Sequence, residues 1–451
     1  MRPFIVVQGP VATRSGYGNH TRDLVAALIK ADKYDIQLIS LPWGVCPMDA
    51  LKHDNPEHVE IMKRIVTGNV TKQPDVFIQI SVPNEFLMGP DGKPFVAGKY
   101  NIGVTAGIET THVSAEFLQG ANRMDLVITT SEHSKIGFIN SVFDAMDNKT
   151  KQKTGQLKLE KPIEVLFEGV DLDTYKKVKT IDTNVKEELS DIKDDFCFLY
   201  VGHWLKGDLG QDRKDTGMML KTFCETFKKK SPKNRPGIIL KTSGAGFSII
   251  DREEVWKKIQ AIIRPYGNNI PNIYFIHGDM TDSEMNSLYN HPKVKAMVSF
   301  TKGEGYGRPL AEFAMTGKPI IASNWSGHLD FLKADYCSLL AGQLTDVHPS
   351  ASDKFILKGS KWFTVNYQYA SKVILDVMKN YKAYCERSRK MPQHMKENFS
   401  RDKMAERLMK LVDKGLEGVP QQVGFQLPKL KKVSNNSNPN VKLPKLKKVE
   451  A

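Results

Sequence analysis

Long apolar runs are missing from this chain. No stretch approaches the roughly 20 residues needed to cross a bilayer. Its first residues, MRPFIVVQGP, lack the ordered charged, apolar and small-residue regions of a secretory leader. A cytoplasmic protein is the expectation. Cysteine is scarce: Cys46, Cys197, Cys224, Cys337 and Cys385 are odd in number and scattered. Reduced thiols are expected, not a disulfide framework. Neither an H-E-x-x-H helix motif nor a C-x-x-C pair is present. A metal-independent protein without a cofactor is therefore expected. A G-x-G-x-x-G run is also lacking, so the strict dinucleotide fingerprint is absent.

What is present is a chain of 451 residues, 40% apolar and 26% charged, the composition of a globular protein with room for two domains. Net charge is +14, and residues 421–451 carry seven lysines against one glutamate. An excess of this sign suits an anionic partner such as nucleic acid or a membrane surface.

Strand-like and helix-like segments alternate, which predicts parallel sheets covered on both faces. Strands are expected at Phe4–Val7, Ile36–Leu41, Asp75–Ile80, Asn101–Thr105, Leu126–Thr130 and Ile163–Phe167, with helices at Asn19–Ala31 and Glu132–Val142. The pattern then restarts. Strands are expected at Phe196–Val201, Ile238–Lys241, Ile273–His277, Val294–Phe300 and Pro319–Ala322, and a helix at Met218–Lys230. The predicted organisation is a first Rossmann-like domain over 1–170, a linker over 171–195 and a second Rossmann-like domain over 196–365. Helices over 366–418 and a flexible tail over 419–451 follow. The tail holds LPKLKKV twice, at Leu427–Val433 and Leu443–Val449, around a Ser/Asn-rich spacer. Ligands of such sheets bind at the carboxyl ends of the strands, so two facing units imply a cleft.

The segment Gly303–Gly317, GEGYGRPLAEFAMTG, carries most of the functional information. Glu304 sits on a glycine-rich loop after a strand, and Glu312 about one turn inside the next helix. Gly303, Gly305 and Gly307 allow close approach of the backbone to a ligand. Free N–H groups at a helix start suit phosphate, while carboxylates suit hydroxyls. Diphosphate joined to a polyhydroxy group is the chemistry of a nucleotide-sugar.

Glu304 and Glu312 resemble the E-x7-E signature of retaining glycosyltransferases of family 4, the group 1 enzymes of the GT-B fold. The resemblance runs over about Met1–Leu416. It implies two Rossmann-like domains facing a central cleft, with the last helices crossing back onto the first. Glu312 would accept from the ribose hydroxyls, and Glu304 would lie at the sugar and the reacting centre. Gly305, Tyr306 and Gly307 would line the donor, the tyrosine mainly by packing. Gly16 and Gly18, in the loop Gly9–Gly18, match the first glycine-rich loop beside the donor diphosphate. Lys214 matches the lysine that clamps the pyrophosphate, and Arg213 and Lys206 compete for the arginine. Phe275–Met280 matches the base-binding loop. His112, in GIETTHVS, stands where many members place a histidine against the sugar, with Glu109 as the alternative. Glu168–Asp171 matches the hinge segment, and Asn324–His328 a small-residue loop without a catalytic role. The donor would be a UDP-sugar or GDP-sugar, bound as substrate. The acceptor is not readable. Positive charge makes modified DNA an acceptor to test, and the repeats suit a protein partner. The alternative expectation is a non-catalytic scaffold acting through its tail.

Overall fold

The computed structural model describes residues 2–419, apart from 69, 71, 90, 96, 148, 149, 151 and 245. The expected tail from residue 420 on, with both LPKLKKV repeats, lies outside the described residues.

The first unit runs β1 (Phe4–Gly9), α1 (Gly16–Ala31), β2 (Asp35–Ser40), α2 (Pro56–Met62), β3 (Val76–Ile80), β4 (Tyr100–Thr105), α3 (Ala115–Ala121), β5 (Leu126–Thr129), α4 (Glu132–Asn140), a hairpin of β6 (Phe143–Met146) and β7 (Lys153–Leu157), and β8 (Ile163–Val165). Six of these strands form a parallel sheet in the order β2-β1-β3-β4-β5-β8. β1 and β3, FIVVQG and VFIQI, are near-continuous apolar runs because helices cover both faces.

After α5 (Thr183–Glu188), the second unit runs β9 (Cys197–His203), α6 (Thr216–Phe227), β10 (Gly237–Ser243), α7 (Ile249–Ile263), β11 (Ile273–Ile276), α8 (Asp282–Asn290), β12 (Val294–Ser299), α9 (Arg308–Ala314), β13 (Ile320–Ser323), β14 (Ser338–Leu340) and a hairpin of β15 (Gly342–Asp346) and β16 (Lys361–Val365). Its parallel sheet has the order β11-β10-β9-β12-β13-β14. Chain direction across the sheet reverses between β9 and β12. In sheets of this kind ligands bind at the strand ends beside such a switch point. The loop after β9 carries Arg213 and Lys214, and the loop after β12 carries Glu304. In the first sheet the reversal lies between β1 and β3, and the loop after β1 carries Gly16 and Gly18.

Segment 171–195 is anchored to the second unit. α5 packs on α8, and the backbone N–H groups of Lys176, Val178 and Asp182 donate to Asn286, Asn290 and Ser287. The expected helical segment over 366–418 opens with α10 (Tyr367–Lys379) and α11 (Tyr381–Ser388), which meet at Asn380. α10 packs on α6, and α12 (Met391–Asn398) packs on α9. α13 (Arg401–Glu417) crosses back onto α1 and β3 of the first unit. Its approach is close: a Cβ at Gly169 would lie 2.5 Å from the Cα of Arg401. No helix among the described residues is long and apolar enough to cross a membrane.

Candidate active site

α1 begins three residues before the expected start. Ser15 caps it, with Oγ accepting from the N–H of Gly18 at 2.9 Å. A Cβ at Gly18 would lie 2.2 Å from the carbonyl oxygen of Thr13, so only glycine fits there. Gly16 has open space on its side-chain side. Tyr17, between them, shares a hydrogen bond of 3.0 Å with Thr105 and accepts from the N–H of Ala106. The start of α1 is thereby joined to the loop after β4.

That loop meets the glycine-rich loop of the second unit. A Cβ at Gly303 would lie 1.9 Å from the carbonyl oxygen of Glu109, and one at Gly305 would lie 2.7 Å from that of Ala106. These two glycines permit backbone contact between the units. Gly307 has φ of +100° and ends the loop at the N-cap of α9.

Four alternating charges cross this contact. Lys214 Nζ pairs with Glu304 Oε1. Arg213 Nη1 lies 3.7 Å from Glu304 Oε2, 3.0 Å from Glu109 Oε1 and 3.2 Å from the carbonyl oxygen of Gly303. Lys214, Arg213 and Glu304 are largely buried. Burial pushes Glu304 up, but Lys214 and Arg213 outweigh it and hold the carboxyl below its usual range. Burial pulls Lys214 down, partly offset by Glu304. Ser326 Oγ accepts from the N–H of Glu304 at 2.9 Å, and Ser326 itself has φ of +82°. The Asn324–His328 loop thus supports Glu304: a Cβ at Gly327 would lie 2.1 Å from the carbonyl oxygen of Gly305.

Behind Lys214, Asp215 and Lys302 form a buried pair at 3.6 Å, with Tyr367 donating to Asp215 at 2.8 Å and Lys302 to Thr364 at 2.8 Å. The N–H of Lys302 donates to the carbonyl of Arg213 at 2.7 Å, which binds the two loops to each other.

Glu312 is buried on α9 and accepts from the Tyr289 hydroxyl at 3.1 Å. Arg308, one turn earlier, lies between it and the first unit. Met280 is half-buried against the core, just before Thr281 caps α8. Its neighbour Asp279 pairs with Arg14 of the first glycine-rich loop.

Arg213, Lys214 and Glu304 are therefore brought together, and Glu109 joins them. Lys206 pairs instead with Asp353 at 3.1 Å. His112 is exposed, and its ring bonds Thr111 at 2.9 Å. Tyr306 is buried in the core, its ring 5.0 Å from that of Phe331. Sequence reasoning missed Arg308 and Ser326. Arg308 did leave a signal: a cation in the first turn of a helix opposes the helix dipole and implies acidic partners.

No family model matches the chain, and no curated protein matches it in sequence. Solved structures match in shape. The chain is similar to Anabaena Alr3699/HepE in complex with UDP-glucose, at 14% identity over 91% of this chain and 100% of that one, with a TM-score of 0.57. It is similar to a glycosyltransferase from Rickettsia africae ESF-5, at 12% identity over 92% and 99% of the two chains, with a TM-score of 0.58. It is also similar to sucrose-phosphate synthase from Thermosynechococcus elongatus, at 13% identity over 92% and 99%, with a TM-score of 0.57. Two Rossmann-like units, each built on a six-stranded parallel sheet, and the match in shape to these proteins give this chain the GT-B fold.

Proposed function

We propose that this protein is a retaining glycosyltransferase that moves a sugar from a nucleotide-sugar to an acceptor hydroxyl. The observation that carries the reading is the cluster of Arg213, Lys214 and Glu304 at the switch point of the second sheet, faced by Glu109. Two cations within one carboxylate's reach can hold a diphosphate and balance the charge that grows on it. HepE and sucrose-phosphate synthase, whose fold it shares, agree with sugar chemistry.

In this reading the bond between the anomeric carbon and the donor phosphate breaks, and its electrons leave with the diphosphate. The acceptor oxygen bonds the same face of the sugar, and its proton passes to the leaving phosphate. Arg213 and Lys214 stabilise the leaving group without a metal. Glu304 orients Lys214 and receives a sugar hydroxyl, while Glu312 receives the ribose. Gly16, Gly18, Gly305 and Gly307 bring backbone close to the donor, and Met280 borders the base. Tyr306 supports that loop from the core. His112 and Glu109 are the two first-unit residues on the sugar side. Modified DNA is the acceptor that the chain's positive charge favours.

Release of nucleoside diphosphate from UDP- and GDP-sugars, with and without hydroxymethylated or unmodified DNA, tests the reading. Lys214→Met and Glu304→Gln should each lower turnover about 100- to 1,000-fold. Glu109→Ala should cost more than His112→Ala, because only Glu109 meets Arg213. Full turnover in Glu304→Gln would remove it from the mechanism.

A further inference from the structure

A second charged network crosses between the units on the α9 side, and of its members the reaction as described uses only Glu312. Arg308 Nη1 lies 2.8 Å from Asp23 Oδ2 on α1 and 3.3 Å from Glu168 Oε2 at the end of the first unit. Its Nε lies 3.6 Å from Glu312 Oε1 and makes no hydrogen bond to the described atoms. Its side chain is largely buried, as are the three carboxylates around it. Asp23 is in turn 3.3 Å from Arg401 Nε at the start of α13, and Arg401 reaches Glu57 at 2.8 Å.

We propose that Arg308 is a positioning residue for the donor ribose. Through Nε it holds the Glu312 carboxylate, and through Nη1 it ties that carboxylate to Asp23 and Glu168. Ribose recognition and the apposition of the two units then share one guanidinium. The proposal rests on the reading above, in which Glu312 receives the ribose hydroxyls.

The surroundings of Glu312 make Arg308 decisive. Burial raises this carboxyl from its ordinary value near 4.5 to about 7, and Arg308 opposes that rise. Asp282 on α8 and Glu168 repel its charge, while the Tyr289 hydroxyl favours it. Tyr175, in the segment before α5, is the other titratable group that feels Glu312. α12, also packed on α9, brings the uncharged Met391 and Met395 into the same core. A carboxylate accepts from two ribose hydroxyls, whereas a protonated carboxyl keeps less accepting capacity.

The test is the affinity of the wild-type chain for UDP and GDP from pH 5.5 to 8.5, each divided by the affinity for its 2′,3′-dideoxy analogue. Both members of a pair carry the same phosphates, so titration of the diphosphate cancels. For wild type the ratio should fall as pH drops through about 7. In Arg308→Gln the midpoint should move up. A rise of one unit would cut the ratio about fivefold at pH 7 and about tenfold at pH 6. Arg308→Lys, which keeps the charge, should restore part of the loss. Glu168→Gln, which removes a like charge and leaves Arg308 in place, should move the midpoint down, and it serves should Arg308→Gln fail to fold. A midpoint unmoved in both variants overturns the proposal, as does equal weakening of the ribose and dideoxy forms. If neither UDP nor GDP nor any other nucleoside diphosphate binds the wild-type chain, the functional reading falls, and the proposal with it.

Discussion

Lys214 and Glu304 show what residue-scale reading of the sequence achieves. A lysine after one strand is recognisable from the family resemblance and a glutamate after another from the E-x7-E spacing, and the fold brings them into contact. Arg308 shows where such reading stops. Its acidic partners, Asp23 and Glu168, are 285 and 140 positions away, and no local pattern identifies them. Tyr306, flanked by two glycines, was expected to act mainly by packing, and the loop turns its ring to Phe331. One residue-scale prediction follows from Glu312. A carboxyl near 7 in the folded chain and near 4.5 unfolded binds its proton more tightly when folded. Its contribution to stability is complete below about 4.5 and is lost as pH rises through about 7. Relative to wild type, Glu312→Gln should therefore gain a few degrees in melting temperature between pH 5 and pH 8. A difference that stays constant across that range would contradict the buried, half-protonated carboxyl.

Elements that are buried on both faces were legible, and the exposed ones were not. β1, β3, β9 and β12 are apolar runs between helices, and each lies within one or two residues of its expected position. The β6–β7 hairpin is mostly exposed and polar, KTGQL against FDAM, so it has neither an apolar run nor clean alternation. β15, GQLTD, is equally exposed. Helix starts were misplaced where a side-chain cap lies inside a glycine loop, as Ser15 does before α1. The two glycines of that loop make opposite predictions. Gly18→Ala would force a methyl group against the Thr13 carbonyl and should cost about 1–3 kcal/mol in urea unfolding. Gly16→Ala meets no atom within 4 Å and should unfold like wild type, so that any loss of nucleotide affinity there reports on the ligand. Equal stability of the two variants would refute this account of the loop.

For the whole molecule, the two-unit plan and the returning helix were readable from the alternation of segments and the resemblance. The way the units are held against each other was not. Ionic contacts contribute to this, through Arg213 and Glu109, through Arg14 and Asp279, and through Arg308, Asp23 and Arg401. Pairing across such distances in sequence becomes visible only once both sheets have formed. Arg401 joins α13 to Asp23, Glu57 and Asp171, so Arg401→Ala should leave the buried Asp23 carboxylate less compensated. The expected loss is on the order of 2 kcal/mol, or a few degrees in melting temperature. An unchanged melting temperature would show that apolar packing of α13 suffices.

The measurement that bears most directly on the central claim is the melting temperature of the full chain with UDP, GDP, ADP, TDP and CMP, each in turn. A ligand at about 100 times its dissociation constant adds about 2.7 kcal/mol, a shift of a few degrees. The account predicts a shift with at least one nucleoside diphosphate, abolished by exchanging Arg213 and Lys214 for methionine. No shift with any of the five, or a shift that survives that exchange, would contradict a nucleotide-sugar site at the switch point of the second sheet.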